Sequence, residues 1–245
     1  MSGTPLSSAS FNIEKSEKEQ SDALEEIIQA YLKYNKIGWT RSFNFNNVLE
    51  QYRSKSQEIF NYLINNPTIQ QYEVMIGRFY GNGFGIDENG KIAFEWYMKA
   101  SQQNNVNGHV EVGSCYFYGF GIEKNYEKAF EFYQLAANNG LNNIALRKVA
   151  HCHRFSYGTK RDLFKAFESF KKSAENGFIC SQYDLAVCYE YGSGTQQNLL
   201  EALKWHKKYQ ENDGEFDVSD IIKKIEKKIG KIFYIFILEF TMNNY

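Results

Sequence analysis

Histidine and cysteine stand side by side at His151-Cys152-His153, a run that resembles part of a metal site. Imidazole and thiolate are common ligands of Zn²⁺. The surrounding pattern is helical, and adjacent residues of a helix point about 100° apart, so these three side chains are unable to hold one ion together. His153 also falls in a slot that other repeats fill with an aromatic residue, namely Tyr80, Tyr116 and Tyr189. We therefore expect packing roles here and no metal site.

Three of the four cysteines recur at a regular interval. Cys115, Cys152 and Cys188 are about 36 to 37 residues apart, whereas a zinc site usually has closely paired ligands. A small apolar side chain on a packed helix explains this spacing. His109 and His206 lie in no sequence arrangement with serine, cysteine or carboxylate that suggests nucleophilic catalysis. We expect no enzyme activity, and no catalytic, metal or cofactor-binding residues.

The glycine-rich segment Gly81-Asn-Gly-Phe-Gly resembles a phosphate-binding loop. However, no predicted strand precedes it, and no Gly-Lys-Ser/Thr follows it, as a nucleotide-binding loop would require. Its glycines also return in later repeats. We interpret the segment as a repeat turn, and this interpretation requires no cofactor.

The elements that position these residues form a repeat of about 36 to 37 residues, which extends from Gln70 to Gly214. For example, Tyr80-Gly-Asn-Gly-Phe-Gly-Ile returns as Tyr116-Phe-Tyr-Gly-Phe-Gly-Ile. Apolar residues at helical spacing predict a helix, a glycine turn and a second helix in each repeat. A fixed period of this length is typical of a solenoid, so we predict an all-α solenoid of about four helix-turn-helix repeats.

The segments outside the repeats are expected to cap the array, because no single repeat can bury its apolar face alone. We expect Asn66-Pro67 to open the first repeat helix. The predicted organisation is a disordered leader at 1–20, an N-terminal helical cap at 21–66, the repeat region at 67–214 and a C-terminal helix at 215–245. The four repeats are predicted at 70–105, 106–140, 141–177 and 178–214.

Isoleucines and lysines take opposite sides of the predicted C-terminal helix, about Val218 to Phe240. The first interpretation is a polar helix that caps the last repeat. The alternative is a basic amphipathic helix on a membrane surface, which would make the protein a peripheral membrane adaptor. The apolar run that begins at Phe233 is too short to span a bilayer.

Composition limits the classes of partner. A formal net charge of -1 over 245 residues gives no general attraction to phosphate backbones, so we expect no nucleic acid partner. The first 20 residues are rich in serine and charge and lack the apolar core of a signal peptide. We therefore expect the cytosol or the nucleus as the compartment, and we assign the protein to the cytoplasm.

The repeat motifs resemble those of the Sel-one-like repeat family, a relative of the tetratricopeptide repeat. The second repeat matches the family pattern at Gly113, Tyr116, Gly119, Gly121, Lys128, Ala129, Tyr133, Ala136 and Ala137. The resemblance implies a right-handed superhelix of helix pairs that acts as a non-enzymatic scaffold for protein or peptide partners. Some relatives serve signalling, and others serve protein degradation at the endoplasmic reticulum. Fungal chains of this kind often carry a kinase domain; this sequence lacks kinase signatures, so a kinase would act in trans.

If tetratricopeptide geometry holds, one face of the first helix in each repeat is available to partners on the concave side. The residues on that face are Val74, Arg78, Val110, Ser114, Phe117, Arg147, His151, Arg154, Tyr183, Val187 and Glu190. The basic trio Arg147, His151 and Arg154 would suit an acidic or phosphorylated segment, because guanidinium groups bind carboxylate and phosphate through two hydrogen bonds. The simpler interpretation of the whole face is a solvated helix surface.

Overall fold

The computed structural model describes residues 8–38, 40, 44–69, 71–139 and 142–242. These residues form helices joined by short turns and contain no β-strand, although an isolated antiparallel bridge joins Thr40 and Gly214. The predicted all-α architecture is therefore confirmed for this part of the chain. The chain divides into two compact units, which we call unit 1 (residues 1–34 and 45–140) and unit 2 (residues 35–44 and 141–245).

Unit 1 contains two helix pairs preceded by non-repeating helices. Its first helix ends with three residues that belong to unit 2. The helices are α1 (Ser8–Ile37), α2 (Phe45–Gln51), α3 (Ser56–Asn65), α4 (Tyr72–Asn82), α5 (Gly90–Gln102), α6 (Val106–Tyr118) and α7 (Tyr126–Asn138). The pairs are α4 with α5 and α6 with α7, and α5 also packs against α6.

Unit 2 contains two further pairs and a long final helix. The helices are α8 (Asn143–Phe155), α9 (Leu163–Glu175), α10 (Ile179–Tyr191), α11 (Leu199–Glu211) and α12 (Ser219–Met242). Successive helices from α8 to α12 pack against one another. The core between the pairs includes Ala150, Phe170, Leu185 and Trp205.

Every helix pair uses the same two local devices at its turn. The first helix ends at a residue in the left-handed conformation, whose backbone N–H donates to a carbonyl of the last turn. These residues are Gly83, Gly119, Ser156 and Gly192. The second helix begins at a side chain that accepts a backbone N–H of its first turn. These caps are Asn89, Asn125, Asp162 and Asn198, so the turn is specified within each repeat.

Glycine inside the first helix lets the two helices of a pair approach closely. A Cβ atom added at Gly113 would lie 2.7 Å from Cδ1 of Tyr133, and one added at Gly77 would lie 2.5 Å from Cε1 of Tyr97. Both rings are buried. A larger residue at either position would therefore force the helices apart.

The N-terminal region differs from the prediction in two respects. Helix α1 begins at Ser8, so residues 8–20 of the predicted leader are helical, while residues 1–7 lie outside the described residues. No glycine or proline interrupts residues 8–21, and Lys55 pairs with Glu19 at 3.2 Å. The predicted cap at 21–66 is also shared between the units, with residues 35–44 in unit 2.

Asn66-Pro67 does not open the first repeat helix as predicted. Helix α4 begins at Tyr72, and Asn66 instead closes α3, where its backbone N–H donates to the carbonyl of Leu63. Its side-chain amide donates to the carbonyl of Tyr62. Proline disfavours the helical conformation in the residue before it, which explains why α3 stops there.

Candidate partner-binding surface

The first helices of the four pairs, which we call the A helices, carry all the residues predicted to bind a partner. They are α4, α6, α8 and α10. With 3.6 residues per turn, these residues are expected to face away from the glycine and alanine positions that pack against the second helix of each pair. Their surroundings differ between the two units.

In unit 1 the predicted surface is covered by the protein itself. Val74 and Val110 are buried, with 0% and 5% exposure. Tyr31 of α1 donates a hydrogen bond from Oη to Glu111 Oε1 on α6 at 2.9 Å. The apolar stripe of α1 that precedes Tyr31 is buried as well. Val74 and Val110 are thus core residues of unit 1 and are not available to a partner.

Arg78 is held inside unit 1 by an ion pair. Its Nη2 atom lies 2.7 Å from Glu111 Oε1, and its guanidinium lies 4.5 Å from the ring centre of Tyr31 and 5.2 Å from that of Phe45. Burial alone would lower the pKa of the guanidinium, but the Glu111 carboxylate raises this pKa above its usual value. Removal of one partner from such a buried pair costs about 3–5 kcal/mol. Arg78 therefore serves the fold and is not presented to a partner.

Ser114 and Phe117 also make internal contacts. The Tyr133 hydroxyl donates to Ser114 Oγ at 3.2 Å. Phe117 is half-buried, with its ring 5.0 Å from that of Tyr118 and 5.2 Å from that of Tyr126. Both residues thus contribute to helix packing in the second pair.

In unit 2 the predicted basic trio does not form a cluster of three positive charges. Arg147 Nε lies 2.5 Å from Asp184 Oδ2, so a buried carboxylate already neutralises this cation. His151 lies 3.8 Å from the same oxygen, but burial lowers its pKa to about 4, which leaves the imidazole neutral near pH 7. Arg154 lies over the ring of Phe155 at 5.4 Å. These three side chains therefore offer a phosphate group less positive charge than the sequence predicts.

A pocket of about 300 Å³ opens beside this ion pair in unit 2. It combines two charged side chains of opposite sign with three aromatic rings, and we call it the unit 2 pocket. Its lining residues are Asn44, Arg147, Cys180, Tyr183, Tyr209, Glu215 and Phe216. This mixture of apolar surface and a few oriented polar groups is typical of sites that accept a side chain or a small ligand.

The aromatic wall of the unit 2 pocket is built around Tyr183. Its ring lies 5.5 Å from that of Tyr209, 5.9 Å from that of Phe216 and 5.7 Å from that of His206. The Tyr209 hydroxyl accepts a hydrogen bond from the backbone N–H of Phe216 at 2.9 Å, which fixes the loop that follows α11. Contacts within the protein therefore hold the aromatic side chains of the pocket in place without a ligand.

Sequence reasoning placed Arg147 and Tyr183 on this face but missed the other lining residues. Glu215 and Phe216 follow the last repeat, and Asn44 lies before the first, so no repeat slot indicates them. The bridge between Thr40 and Gly214 joins the two segments in unit 2. A contact between segments so far apart in the chain leaves no periodic signal.

The remaining predicted residues are Val187 and Glu190. Val187 is half-buried on α10, while Glu190 is 9% exposed. Glu190 Oε2 lies 3.5 Å from Nε2 of the fully buried His206, whose pKa is lowered by its own burial. No motif in the sequence indicates a carboxylate beside His206. Glu190 is therefore an internal partner of His206.

The repeated cysteines lie in the core, as their spacing predicts. Burial raises the pKa of Cys115 to about 12 and the pKa values of Cys152 and Cys188 to about 11. These thiols are protonated near pH 7, and a thiolate is the form that acts as nucleophile or metal ligand. In the described part of the chain, no three His, Cys, Asp or Glu side chains are arranged to hold a metal ion.

Comparisons with known proteins identify the same helical repeats. The family model of the Sel1 repeat matches residues 72–105, 107–141, 143–178 and 181–208. The crystal structure of a Sel1 repeat protein from Oxalobacter formigenes is similar with a TM-score of 0.60 and 24% identity, over 68% of this chain and 71% of that chain. A protective antigen of uropathogenic Escherichia coli strains with an SLR fold is similar with a TM-score of 0.57 and 25% identity. That match covers 67% of this chain and 37% of the antigen. No curated protein matches the sequence.

Proposed function

Because the chain belongs to the Sel1 repeat family, whose members are generally protein-interaction modules, we propose that it is a scaffold that binds protein partners at the unit 2 pocket. The pocket itself carries this proposal. Arg147 and Tyr183 of its lining belong to A helices, the elements predicted to bind partners, and the pocket offers both charge and aromatic surface. No catalytic group is needed for this role.

A difference in exposure between the two units supports unit 2 as the location of the partner site. In unit 1, the A-helix residues Val74 and Val110 are buried. In unit 2, Phe216 is 57% exposed at the pocket, and Tyr183 is only partly buried. Partly exposed aromatic residues are enriched at protein interfaces because they bury a large area with few rotatable bonds. Unit 2 therefore carries the better candidate surface.

The lining residues indicate the chemistry of the bound segment. Arg147 is neutralised by Asp184, and Glu215 adds a negative charge to the rim, so a phosphorylated segment gains little here. The ring pair of Tyr183 and Phe216 instead suits an apolar or aromatic side chain of a partner. We propose a peptide segment that inserts one such side chain between polar neighbours, with signalling as one setting for the scaffold.

The test compares two exposed phenylalanines of unit 2. Phe216 lies at the pocket, whereas Phe164 on α9 is 64% exposed and lies outside it. Each is changed to alanine, and proteins captured by the two variants from native cell extract are quantified by mass spectrometry. We expect Phe216→Ala to reduce capture of a defined set of proteins by about tenfold or more, as for an interface anchor. Phe164→Ala should retain them.

Equal capture by the two variants would contradict a partner site at the pocket. Circular dichroism and thermal unfolding must show that both variants fold. Arg147 is a poor test residue because its removal leaves the buried Asp184 without its cation, and such a change affects stability as well as binding.

A further inference from the structure

The final helix is much longer than the helix on which it packs. Helix α11 has 13 residues and α12 has 24. At 1.5 Å per residue, these lengths are about 20 Å and 36 Å. Ile222 at the start of α12 is buried in a cluster with Tyr209 and Val218, and Ile225 one turn later is 1% exposed. The first turns of α12 therefore anchor it to the last repeat.

Beyond this anchor, α12 carries several large apolar side chains that are exposed. The exposed fractions of Ile232, Phe233, Tyr234, Ile235 and Ile237 lie between 54% and 64%. A Cβ atom added at Gly230 would meet no atom within 4 Å. Transfer of such large side chains out of water is favourable, so this part of α12 has the composition of a contact surface.

The apolar surface continues onto the neighbouring helix. Ile229, Ile232 and Phe233 border a groove of about 350 Å³ whose other side includes Leu199 and Leu200 at the start of α11. Leu200 is 61% exposed. The exposed part of α12 and the first turn of α11 thus form one apolar patch at this end of unit 2.

Positive charge borders the patch. Residues 227–239 contain three lysines, Lys227, Lys228 and Lys231, and one acidic residue, Glu239, which gives a formal charge of +2. All three are exposed. The acidic Glu226 just before this stretch is paired with Lys207 at 2.8 Å. The patch therefore combines exposed apolar and aromatic side chains with a basic rim.

We propose that the exposed side chains of α12, namely those of residues 232–235, Ile237 and Leu238, dock peripherally on a membrane surface that contains anionic phospholipids. Isoleucine and phenylalanine side chains enter the boundary between headgroups and acyl chains, and the lysines meet the phosphate and carboxylate groups. Among the described residues, no helix combines the length and the apolar character that a membrane span requires.

The lysines that border the patch favour a membrane over a second copy of the chain as its binding partner. Two copies of α12 that pair through this patch would bring two basic rims together, and like charges repel. An anionic bilayer supplies the opposite charge over the whole surface. This proposal is independent of the protein-binding role of the unit 2 pocket.

Liposome flotation of the full chain tests the proposal. The vesicles contain phosphatidylcholine alone or phosphatidylcholine with phosphatidylserine. We expect the chain to float only with the anionic vesicles. Phe233→Ser should abolish flotation, and the double change Lys228→Gln and Lys231→Gln should lower the partition coefficient by roughly 20- to 30-fold, at about fivefold for each lysine.

Matched controls lie elsewhere in unit 2. Phe164→Ser changes a phenylalanine of similar exposure, and Lys172→Gln changes an exposed lysine, so both should float like the parent. No flotation with anionic vesicles, or equal losses for Phe233→Ser and Phe164→Ser, would overturn the proposal. Sedimentation velocity supplies a further contrary result: a dimer that Phe233→Ser dissociates, without vesicle binding, would assign the patch to a second copy.

Discussion

The four histidines show how burial decides the role of a residue. All of them have a pKa lowered by burial. His109 bonds through Nδ1 to Ser101 Oγ at 2.7 Å, and His206 lies beside Glu190. His151 stacks on Phe155 with an angle of 10° between the ring planes. The pKa of about 4 leaves the His151 ring neutral near pH 7, so it acts there as an uncharged packing group.

This protonation state predicts acid sensitivity. A histidine whose folded pKa is lowered binds more protons in the unfolded chain, so stability is lost as pH falls from the unfolded value of 6.5 toward the folded one, about 4 for His151. We expect the free energy of unfolding to fall by on the order of 2 kcal/mol over this range. Urea unfolding at several pH values measures it.

The variant His151→Gln provides the control for acid sensitivity. Its stability should fall less steeply than that of the parent below pH 6.5, and the two curves should run parallel at higher pH, where histidine is neutral in both states. Identical slopes below pH 6.5 would show that His151 is not the group responsible.

At the scale of the helix pair, the turn geometry tolerates one unusual residue. Ser156 ends α8 with φ 61° and ψ 33°, close to Gly119 with φ 74° and ψ 33°. Serine replaces glycine in this slot, and the left-handed conformation is kept because the backbone N–H still bonds to the carbonyl of Cys152. The hydrogen bond offsets an unfavourable backbone conformation.

Ser156→Gly should therefore stabilise the protein by roughly 0.5 to 1 kcal/mol, since glycine adopts this conformation without steric cost. The reciprocal change Gly119→Ser should destabilise by a similar amount. Chemical unfolding of both variants measures the two differences. Destabilisation by Ser156→Gly would show that the serine side chain has a role which its backbone conformation does not reveal.

A second pair of substitutions tests the close approach of helices. Gly113→Ala should destabilise by about 1 to 2 kcal/mol, because its Cβ would lie 2.7 Å from the ring of the fully buried Tyr133. Gly230→Ala, at an open position of α12, should stabilise by roughly 0.5 to 1 kcal/mol through helix propensity. Thermal unfolding compares them, and the same sign for both would contradict the assigned packing.

The helix pairs were predictable from sequence because each is specified locally. Gly119, Asn125 and Ala129 set the turn, the cap and the packing face within a few residues of one another. The covering of unit 1 was not predictable, because Tyr31 and Glu111 are 80 residues apart and Tyr31 belongs to no repeat. The partner face along the A helices stays a prediction, and the burial of Val74 and Val110 removes these two residues from it.

At the scale of the whole chain, the non-repeating segments give the two units different surfaces. Tyr31 and Phe45 enclose Arg78 in unit 1. In unit 2, Asn44 and Phe216 complete a pocket beside Arg147. The charge is also uneven: the net charge is -1, yet residues 227–238 are basic. The repeats form the paired helices of each unit, and the segments outside the repeats add residues to the candidate contact sites.

Site-specific photo-crosslinking tests the central claim most directly. A benzophenone amino acid replaces Phe216 in one protein and Phe164 in another, since both positions are exposed in unit 2. After irradiation in the native cell, we predict discrete crosslinked partner proteins from position 216, with their attachment peptides identified by mass spectrometry, and none of these from position 164. The same partners from both positions, or none from position 216 while partners still bind the parent chain, would contradict the account.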